Sequence, residues 1–304
     1  MPALTTPLCA VINFGVPKAE ISPELQAHYL ARFDASDPVP TRKQTVPLWD
    51  LRDEFDGTSM GGRTAVEQLE ETGFAYVKHK SNYAHEGGLE TEDETERYKQ
   101  ECVALYKELL GADEVIAWNV VIRDAGEGEQ DVKGTMQLKT EAGTVPTSNL
   151  KAVAGSAHVD QDEEYARTII KRAAGDDAFE RYSRAAICNL WRPVRGPVTN
   201  NPLAVCDFST MDRDEDVMRM AGSYGSAYSV AYSPRQRWCY MSHQQPDEAI
   251  MLLCYDSNMG RNGEALWTGH VACTVLGEQR LPELVGQPEV PRRSVEVRLF
   301  ALWK

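Results

Sequence analysis

"AICNLWRP", residues 186–193, is where the sequence changes character. Upstream of it, apolar residues recur mostly at helical spacing. From here on they come in short alternating or wholly apolar runs. The runs that follow are "PLAVCDFS" (202–209), "SAYSVAYS" (226–233), "RWCYMSH" (237–243), "AIMLLCYDS" (249–257), "ALWTGHVACTVL" (265–276) and "SVEVRLFALW" (294–303). Gly, Pro, Asn and Asp separate them. Short runs of this kind between turn residues predict an antiparallel β-sandwich or barrel. "DRDEDVMRMAG" (212–222) reads as the one helix that interrupts them.

Working back from that point, "DEEYARTIIKRAAGDDAFERYSRAA" (162–186) reads as helix, broken at Gly175. Its opening acids suit a helix N-terminus, where the dipole favours negative charge. "VIAWNVVIR" (115–123) is too β-branched for a surface helix and predicts a buried strand. A helix is expected over 94–110, with Tyr98, Cys102, Leu105, Tyr106 and Leu109 at helical spacing and Gly111 as the stop. Thr64 and Glu67 have the spacing of a capping box, and Val66 and Leu69 share a face of the helix it would open. Gly73 should end that helix before a strand at "FAYV" (74–77). Residues 124–150 are polar and rich in Gly, Thr and Glu, and read as a long covering loop. Residues 1–60 read as irregular, punctuated by Pro38, Pro40 and Pro47, with one short strand within "VPLWDLRDEF" (46–55). With no internal repeat and no linker, a single domain is expected: an irregular segment (1–60), a mostly helical part with strands (61–185), then a β-core (186–304).

The 304 residues include 42% hydrophobic and 26% charged side chains, ordinary values for a folded chain able to bury a core. A formal net charge of −14 argues against a nucleic-acid partner, because phosphate binding needs clustered Lys and Arg. No tract reads as a basic membrane-binding face, and no run of about 18 apolar residues predicts a membrane span. The start, "MPALTTPLCAVINFG", does not read as a secretory signal. The seven cysteines are Cys9, Cys102, Cys188, Cys206, Cys239, Cys254 and Cys273; the count is odd and no C-x-x-C occurs. Cys188, Cys254 and Cys273 lie in apolar runs and read as buried thiols, so a reducing, cytoplasmic location is expected.

The chemistry starts at "SAHVDQD" (156–162). His158 and Asp160, two apart on an extended segment, project to one side and can chelate one ion. Two histidines and one carboxylate on one face of a metal leave positions open for substrates, the arrangement used by non-haem Fe(II) oxygenases. A third ligand has to come from a distant strand. His28, His79 and His85 precede the β-core, which leaves His243 in "MSHQQPDE" and His270 in "WTGHVACTV". His270 is favoured, because it opens a predicted strand after a glycine; His243 sits in a polar turn that water would solvate. Near the C-terminus, Arg292 and Ser294 form an Arg-x-Ser pair on a predicted strand. A guanidinium fork with a hydroxyl suits a carboxylate, although an Arg-rich edge strand that deters aggregation is a fair competitor. Of the remaining acids in the run 160–164, only Asp160 is taken as a ligand.

With these residues in that order, the sequence resembles the Fe(II)/2-oxoglutarate-dependent oxygenases. More narrowly, it is similar to the fungal hydroxylase/desaturase family related to cephem-methoxylase-like proteins. The matching elements are "HVDQD" (158–162), "NLWRP" (189–193), "PLAVCD" (202–207), "WCYMSHQQPDEAIMLLCYDS" (238–257), "GHVAC" (269–273) and "RRSVEVR" (292–298), across roughly residues 45–304. The family's His-Thr-Ala is His270-Val271-Ala272 here. The resemblance implies a mainly β fold with flanking helices, built on a double-stranded β-helix (jelly-roll) core. It implies that His158, Asp160 and His270 hold Fe(II), that 2-oxoglutarate is a cosubstrate whose far carboxylate meets Arg292 and Ser294, and that O2 is consumed. Arg298 shares their face and is expected to assist Arg292 or to contact substrate. The reaction would be hydroxylation, desaturation or oxidative cyclisation of a small secondary-metabolite intermediate, such as an amino acid or a peptide-derived compound; the family also includes enzymes that dimerise. Arg192 would bind substrate or cosubstrate, or else pair structurally with Asp207. Trp191, Trp238 and Tyr240 would line the pocket or simply pack. Two other readings compete: a cupin-like Zn²⁺ hydrolase or isomerase with no use for Arg292, and a non-catalytic β-sandwich binding protein that leaves His158 and Asp160 without a metal.

Overall fold

The apolar runs of the second half do form strands, and they are joined by partners from the first half. The structure, a computed structural model, describes residues 7–31, 39–57, 60–125, 154–222, 225–258, 264–278 and 281–304. Its strands in the first half are β1 (Leu8–Gly15), β2 (Thr41–Asp50), β3 (Phe74–Lys78), β4 (Glu114–Asp124) and β5 (His158–Val159). Those of the second half are β6 (Arg184–Pro193), β7 (Leu203–Cys206), β8 (Val217–Gly222), β9 (Gly225–Val230), β10 (Trp238–Tyr240), β11 (Glu248–Asp256), β12 (His270–Ala272), β13 (Thr274–Leu276) and β14 (Arg293–Trp303). The helices are α1 (Pro23–Ala31), α2 (Ala65–Thr72), α3 (Glu92–Leu110), α4 (Glu163–Ala174) and α5 (Ala178–Arg181).

Two sheets face each other in the expected jelly-roll arrangement. One has five antiparallel strands in the order β3-β11-β6-β14-β4; the other has nine, in the order β13-β1-β2-β10-β7-β12-β5-β9-β8. Phe74, Tyr76, Trp191, Ile250 and Leu252 of the first pack against Leu203, Val205 and Cys239 of the second, forming the core between the sheets. The nine-stranded sheet curls so far that Gly15, at the end of β1, pairs with Ala231 just beyond β9. Phe14, Leu48, Cys206, Val230 and Trp238 fill the inside of this curl. A Cβ on Gly15 would lie 2.1 Å from the hydroxyl of Ser229, so only glycine lets β1 approach β9 this closely.

On the outer face of the five-stranded sheet, Cys188 and Leu190 of β6 and Val295, Val297 and Leu299 of β14 are covered by Tyr98, Cys102 and Tyr106 of α3. These helix residues recur every four positions, the stripe read from the sequence. Helices over one face and a second sheet over the other leave β6 buried on both sides, which explains its near-continuous apolar run. The expected capping box at Thr64 and Glu67 is present, and Gly73 ends α2 at φ +85° with the backbone of Trp267 too close for a side chain. α3 opens on a second box: the Glu94 N–H donates to Thr91 Oγ1 at 3.2 Å, and Thr91 N–H donates to Glu94 Oε2 at 3.1 Å. Thr91→Ala should lower stability by about 1 kcal/mol, read as an earlier urea midpoint with unchanged slope. An unchanged midpoint would show that tertiary packing alone fixes this helix start.

Three expectations from the sequence need correction. Residues 1–60 are not an irregular drape, since β1 and β2 pair over eight residues and extend the nine-stranded sheet. Residues 212–222 are not a helix. Asp212 accepts the N–H groups of Asp214 and Glu215, a local turn that stops helix propagation, and Val217–Gly222 then forms a hairpin with β9. The long helix read over 162–186 ends earlier, as α4 and α5 flank Gly175 and the chain is strand from Arg184. Of the loop read over 124–150, residues 126–150 lie outside the described residues.

Candidate metal centre

Backbone register brings the two histidines together. His270 of β12 is the direct antiparallel partner of His158 of β5, and Val205 of β7 flanks His270 on the other side. Val205 faces the core between the sheets, so both imidazoles face it as well. Their ring centroids are 4.4 Å apart. Asp160, two residues after His158, brings Oδ1 to 3.6 Å from His158 Nε2. Among the described residues, His158, Asp160 and His270 form the one group of three or more His, Cys, Asp or Glu whose donor atoms converge, all within 4.8 Å of one another. His243 stays in the turn between β10 and β11, at φ +49°, outside this group.

The surroundings prepare these donors. His158 Nδ1 lies 2.7 Å from the carbonyl of Ser156, and His270 Nδ1 lies 3.2 Å from that of Thr268. A carbonyl only accepts, so each Nδ1 carries the proton and each Nε2 offers its lone pair to a metal. Burial, and then the neighbouring His158, pull the His270 pKa down to about 4, which keeps the ring neutral and able to coordinate. Burial pushes the Asp160 carboxyl up, but Arg298, the hydrogen bond with His158 and the nearby His270 outweigh it and hold the group well below the usual range. The Arg298 guanidinium donates to Asp160 Oδ1 at 3.3 Å, and Asn189 Nδ2 donates to Oδ2 at 2.6 Å. Two imidazoles and an ionised carboxylate on one face of the core between the sheets are the donor set of a facial Fe(II) site.

The opposing sheet supplies the floor. Along β14, Ser294, Glu296 and Arg298 face inward, with Arg292 just before them, while Val295, Val297 and Leu299 face α3. Arg292 and Ser294 are 3% and 1% exposed, yet Arg292 Nε and Ser294 Oγ have no hydrogen-bond partner among the described residues. The rest of the Arg292 guanidinium donates to the Asn201 carbonyl and lies 5.3 Å above the Trp191 ring. Burial, and then Arg123, pull the Arg292 pKa down to about 9, so it remains a cation at neutral pH. A buried cation and hydroxyl with unused donors fit a carboxylate. Glu296 is pushed up by burial and by Asp160, and lies 3.6 Å from Arg298 Nε.

Not every residue singled out from the sequence reaches this site. Arg192 points the opposite way, into the layer beneath α3, where it donates to the His79 carbonyl at 2.7 Å and lies 5.8 Å from the Tyr98 ring. It does not pair with Asp207, whose carboxylate instead meets Arg237. Strand alternation is the reason: Asn189 and Trp191 face the cavity, so Arg192 cannot. Trp238 and Tyr240 lie in the other core, within the curl, and the Tyr240 hydroxyl donates to Glu278 at 3.1 Å. Of the three aromatics, Trp191 alone touches the site. Arg298 meets Asp160, not Arg292. Asn189, Glu296 and Arg123 were not assigned roles from the sequence. Their signal was polar residues at alternate positions of otherwise apolar strands.

Residues 28–302 match the model of a family described as YDMC, oxidoreductase/YMDC permease-like domain. The hydroxylase/desaturase efuI of Hormonema carpetanum is 29% identical over 226 residues, 69% of this chain and 70% of that one. The alpha-ketoglutarate-dependent dioxygenase tstK of Talaromyces stipitatus is 24% identical over 265 residues, 85% of this chain and 84% of that one. Among solved structures, the iron and alpha-ketoglutarate-dependent endoperoxidase NvfI superposes with a TM-score of 0.71 at 22% identity, covering 98% of each chain. These comparisons lend no support to the zinc hydrolase or the non-catalytic binding protein. No helix among the described residues is long and apolar enough to cross a membrane.

Proposed function

The chain belongs to the YDMC oxidoreductase/YMDC permease-like family, and from that membership we propose that it is a non-haem Fe(II)- and 2-oxoglutarate-dependent oxygenase. Its substrate is a small molecule of secondary metabolism, and the reaction is hydroxylation, desaturation or a related oxidation. The observation that carries this reading is the convergence of His158, Asp160 and His270 on one sheet, with the unpartnered donors of Arg292 and Ser294 on the sheet that faces it. The single oxygenase domain spanning 1–304, a cytoplasmic location and assembly as a homodimer belong to the same proposal.

His158 and His270 would hold the iron through Nε2, and Asp160 through a carboxylate oxygen. With iron and 2-oxoglutarate bound, the site supplies oxidation of a C–H bond by O2, coupled to conversion of 2-oxoglutarate to succinate and CO2. The chain's own part is placement. The carbonyls of Ser156 and Thr268 fix the tautomer and angle of the two rings. Asn189 and Arg298 hold the Asp160 carboxylate so that its rotamer is set before metal arrives. Arg292 and Ser294 would orient 2-oxoglutarate by its far carboxylate, with the Trp191 ring packed 5.3 Å from the Arg292 guanidinium. The relatives' names cover more than one outcome, hydroxylation, desaturation and endoperoxide formation, which fits a shared iron site with a variable substrate pocket.

The test uses the full chain loaded with Fe(II) under nitrogen. Addition of 2-oxoglutarate should produce a visible charge-transfer band, and admission of O2 should yield succinate. Absence of both the band and succinate would overturn the proposal.

A further inference from the structure

We propose that Trp118 and Asn119, at a bulge in β4, read the substrate: the Asn119 carboxamide oxygen accepts an O–H or N–H group, and the Trp118 ring packs against the flat ring that carries it. The substrate class is thus a neutral ring compound with a hydrogen-bond donor, a proposal that rests on the oxygenase reading above. The β4–β14 ladder shifts at this point. Asn119 pairs with Arg298 and Ala117 with Leu299, so Trp118 is the extra residue of the bulge. Val120 and Ile122 pack beneath α3, which turns Asn119 to the other face of the sheet, beside Arg298. Trp118 reaches that face as well. Its ring stands edge-on to Phe300 at 5.2 Å, in the cluster that Ile169 and Ile170 of α4 cover, and it is only part-buried. In a regular strand these two neighbours would point to opposite faces.

Asn119, Arg298 and Asn189 form one row across β4, β14 and β6. Asp160 accepts from this row, from Arg298 at 3.3 Å and from Asn189 at 2.6 Å. Asn119 is therefore one strand away from a residue that holds a metal ligand. It is 1% exposed, yet its Oδ1 has no hydrogen-bond partner among the described residues. At the other end of the row, the Asn189 amide hydrogens serve Asp160 and, at 3.3 Å, Glu296. The Asn189 oxygen is left buried and without a partner among the described residues, like that of Asn119. Burying an amide oxygen with no donor costs stability, so a ligand that brings a donor is favoured there. An anionic substrate is the rival. It would bring further acceptors to a place bordered by two amide oxygens and the carboxylates of Asp160 and Glu296, while Arg298 is already engaged by Asp160.

The probes are benzamide, a flat ring with N–H donors, and benzoate, an anion of nearly the same shape. Calorimetry on the full chain, loaded with Fe(II) and saturated with 2-oxoglutarate under nitrogen, compares their affinities without turnover. Benzamide should bind about tenfold tighter than benzoate. Asn119→Leu should weaken benzamide about fivefold or more and hold benzoate within about twofold, which removes most of the preference. Trp118→Ala should weaken both probes alike, since ring packing does not distinguish their head groups. Urea unfolding of the metal-free chains separates recognition from folding. Asn119→Leu replaces an orphaned polar group at similar volume, so its midpoint should equal or exceed that of the wild type. A lower midpoint would make the carboxamide a structural part and overturn the proposal. Failure of benzamide to bind, binding of benzoate as tight or tighter, or a preference that survives Asn119→Leu would overturn it too. Absence of a visible band when the wild-type chain meets 2-oxoglutarate would instead overturn the oxygenase reading.

Discussion

Asp160→Ala is expected to abolish iron binding and, separately, to weaken the metal-free protein. The metal effect follows from losing the only anionic donor among the three convergent residues. Fe(II) affinity should fall by more than about 100-fold, beyond what the loss of an outer hydrogen-bond partner costs. Succinate formation should drop to background. The stability effect has a different source. Asp160 accepts from both Arg298 and Asn189 inside the molecule. Removing it leaves a buried guanidinium with one acid fewer and an Asn189 amide that keeps only its longer bond to Glu296, at 3.3 Å. Breaking a buried ion pair from one side costs roughly 3–5 kcal/mol. Asp160→Asn keeps the shape and an acceptor oxygen, so it should recover part of the stability and little of the metal affinity. Urea unfolding of the stripped proteins and Fe(II) titration under nitrogen measure the two separately. Retained turnover in Asp160→Ala would falsify the metal assignment.

The metal-free chain is also expected to lose stability in mild acid. His270 has a folded pKa of about 4, against about 6.5 when unfolded, because burial and His158 disfavour the charged ring. Above the unfolded value both states are neutral and the group contributes no slope. As pH falls from about 6.5 to about 4, the unfolded chain binds a proton that the folded chain refuses, so stability declines. The shift corresponds to about 3 kcal/mol by the bottom of that window. Asp160, held well below the usual carboxylate range, takes over at still lower pH. Its stabilising charge is lost only as pH drops through its folded value. Unfolding free energies between about pH 7.5 and about pH 4.5 should show the decline, and His270→Gln should flatten it by one titrating group. Equal slopes in both proteins would mean that His270 is solvated and charged. Bound metal should delay the decline, since it stabilises the folded state by mass action and protons must compete with it for the imidazole.

How far the sequence could be read depended on whether a signal was local. The capping box at Thr64, the Tyr98–Cys102–Tyr106 stripe and the turn-bounded strands after 186 each arise within a few residues, and each appears in the structure. The nine-stranded sheet was harder to see. β2 carries Pro47 and polar residues, and both β1 and β2 owe their strand state to partners far along the chain. Residues 212–222 misled for the opposite reason: a charged run with Val and Met at i and i+1 resembles a helix until β9 supplies a ladder. At the site, His158 and Asp160 declare themselves by spacing alone. His270 emerges only by elimination among histidines, and its adjacency to His158 is a matter of sheet register. Arg192 shows the hazard of naming a striking residue without its parity. One position from Trp191, it falls on the far side of the sheet.

The curl that joins Gly15 to Ala231 also sets an order of events on the ribosome. Strand β1 rests between β2 and β13, and its end closes on the segment after β9. Residues 8–15 are made long before their neighbour at 274–276. Contacts so distant in sequence slow folding and leave early strands without partners during synthesis. His270 is made in the same stretch as β13, so the nascent chain cannot carry a complete iron site until the strands of the second half have been translated. Iron loading and closure of the curled sheet are thereby tied to one step of assembly.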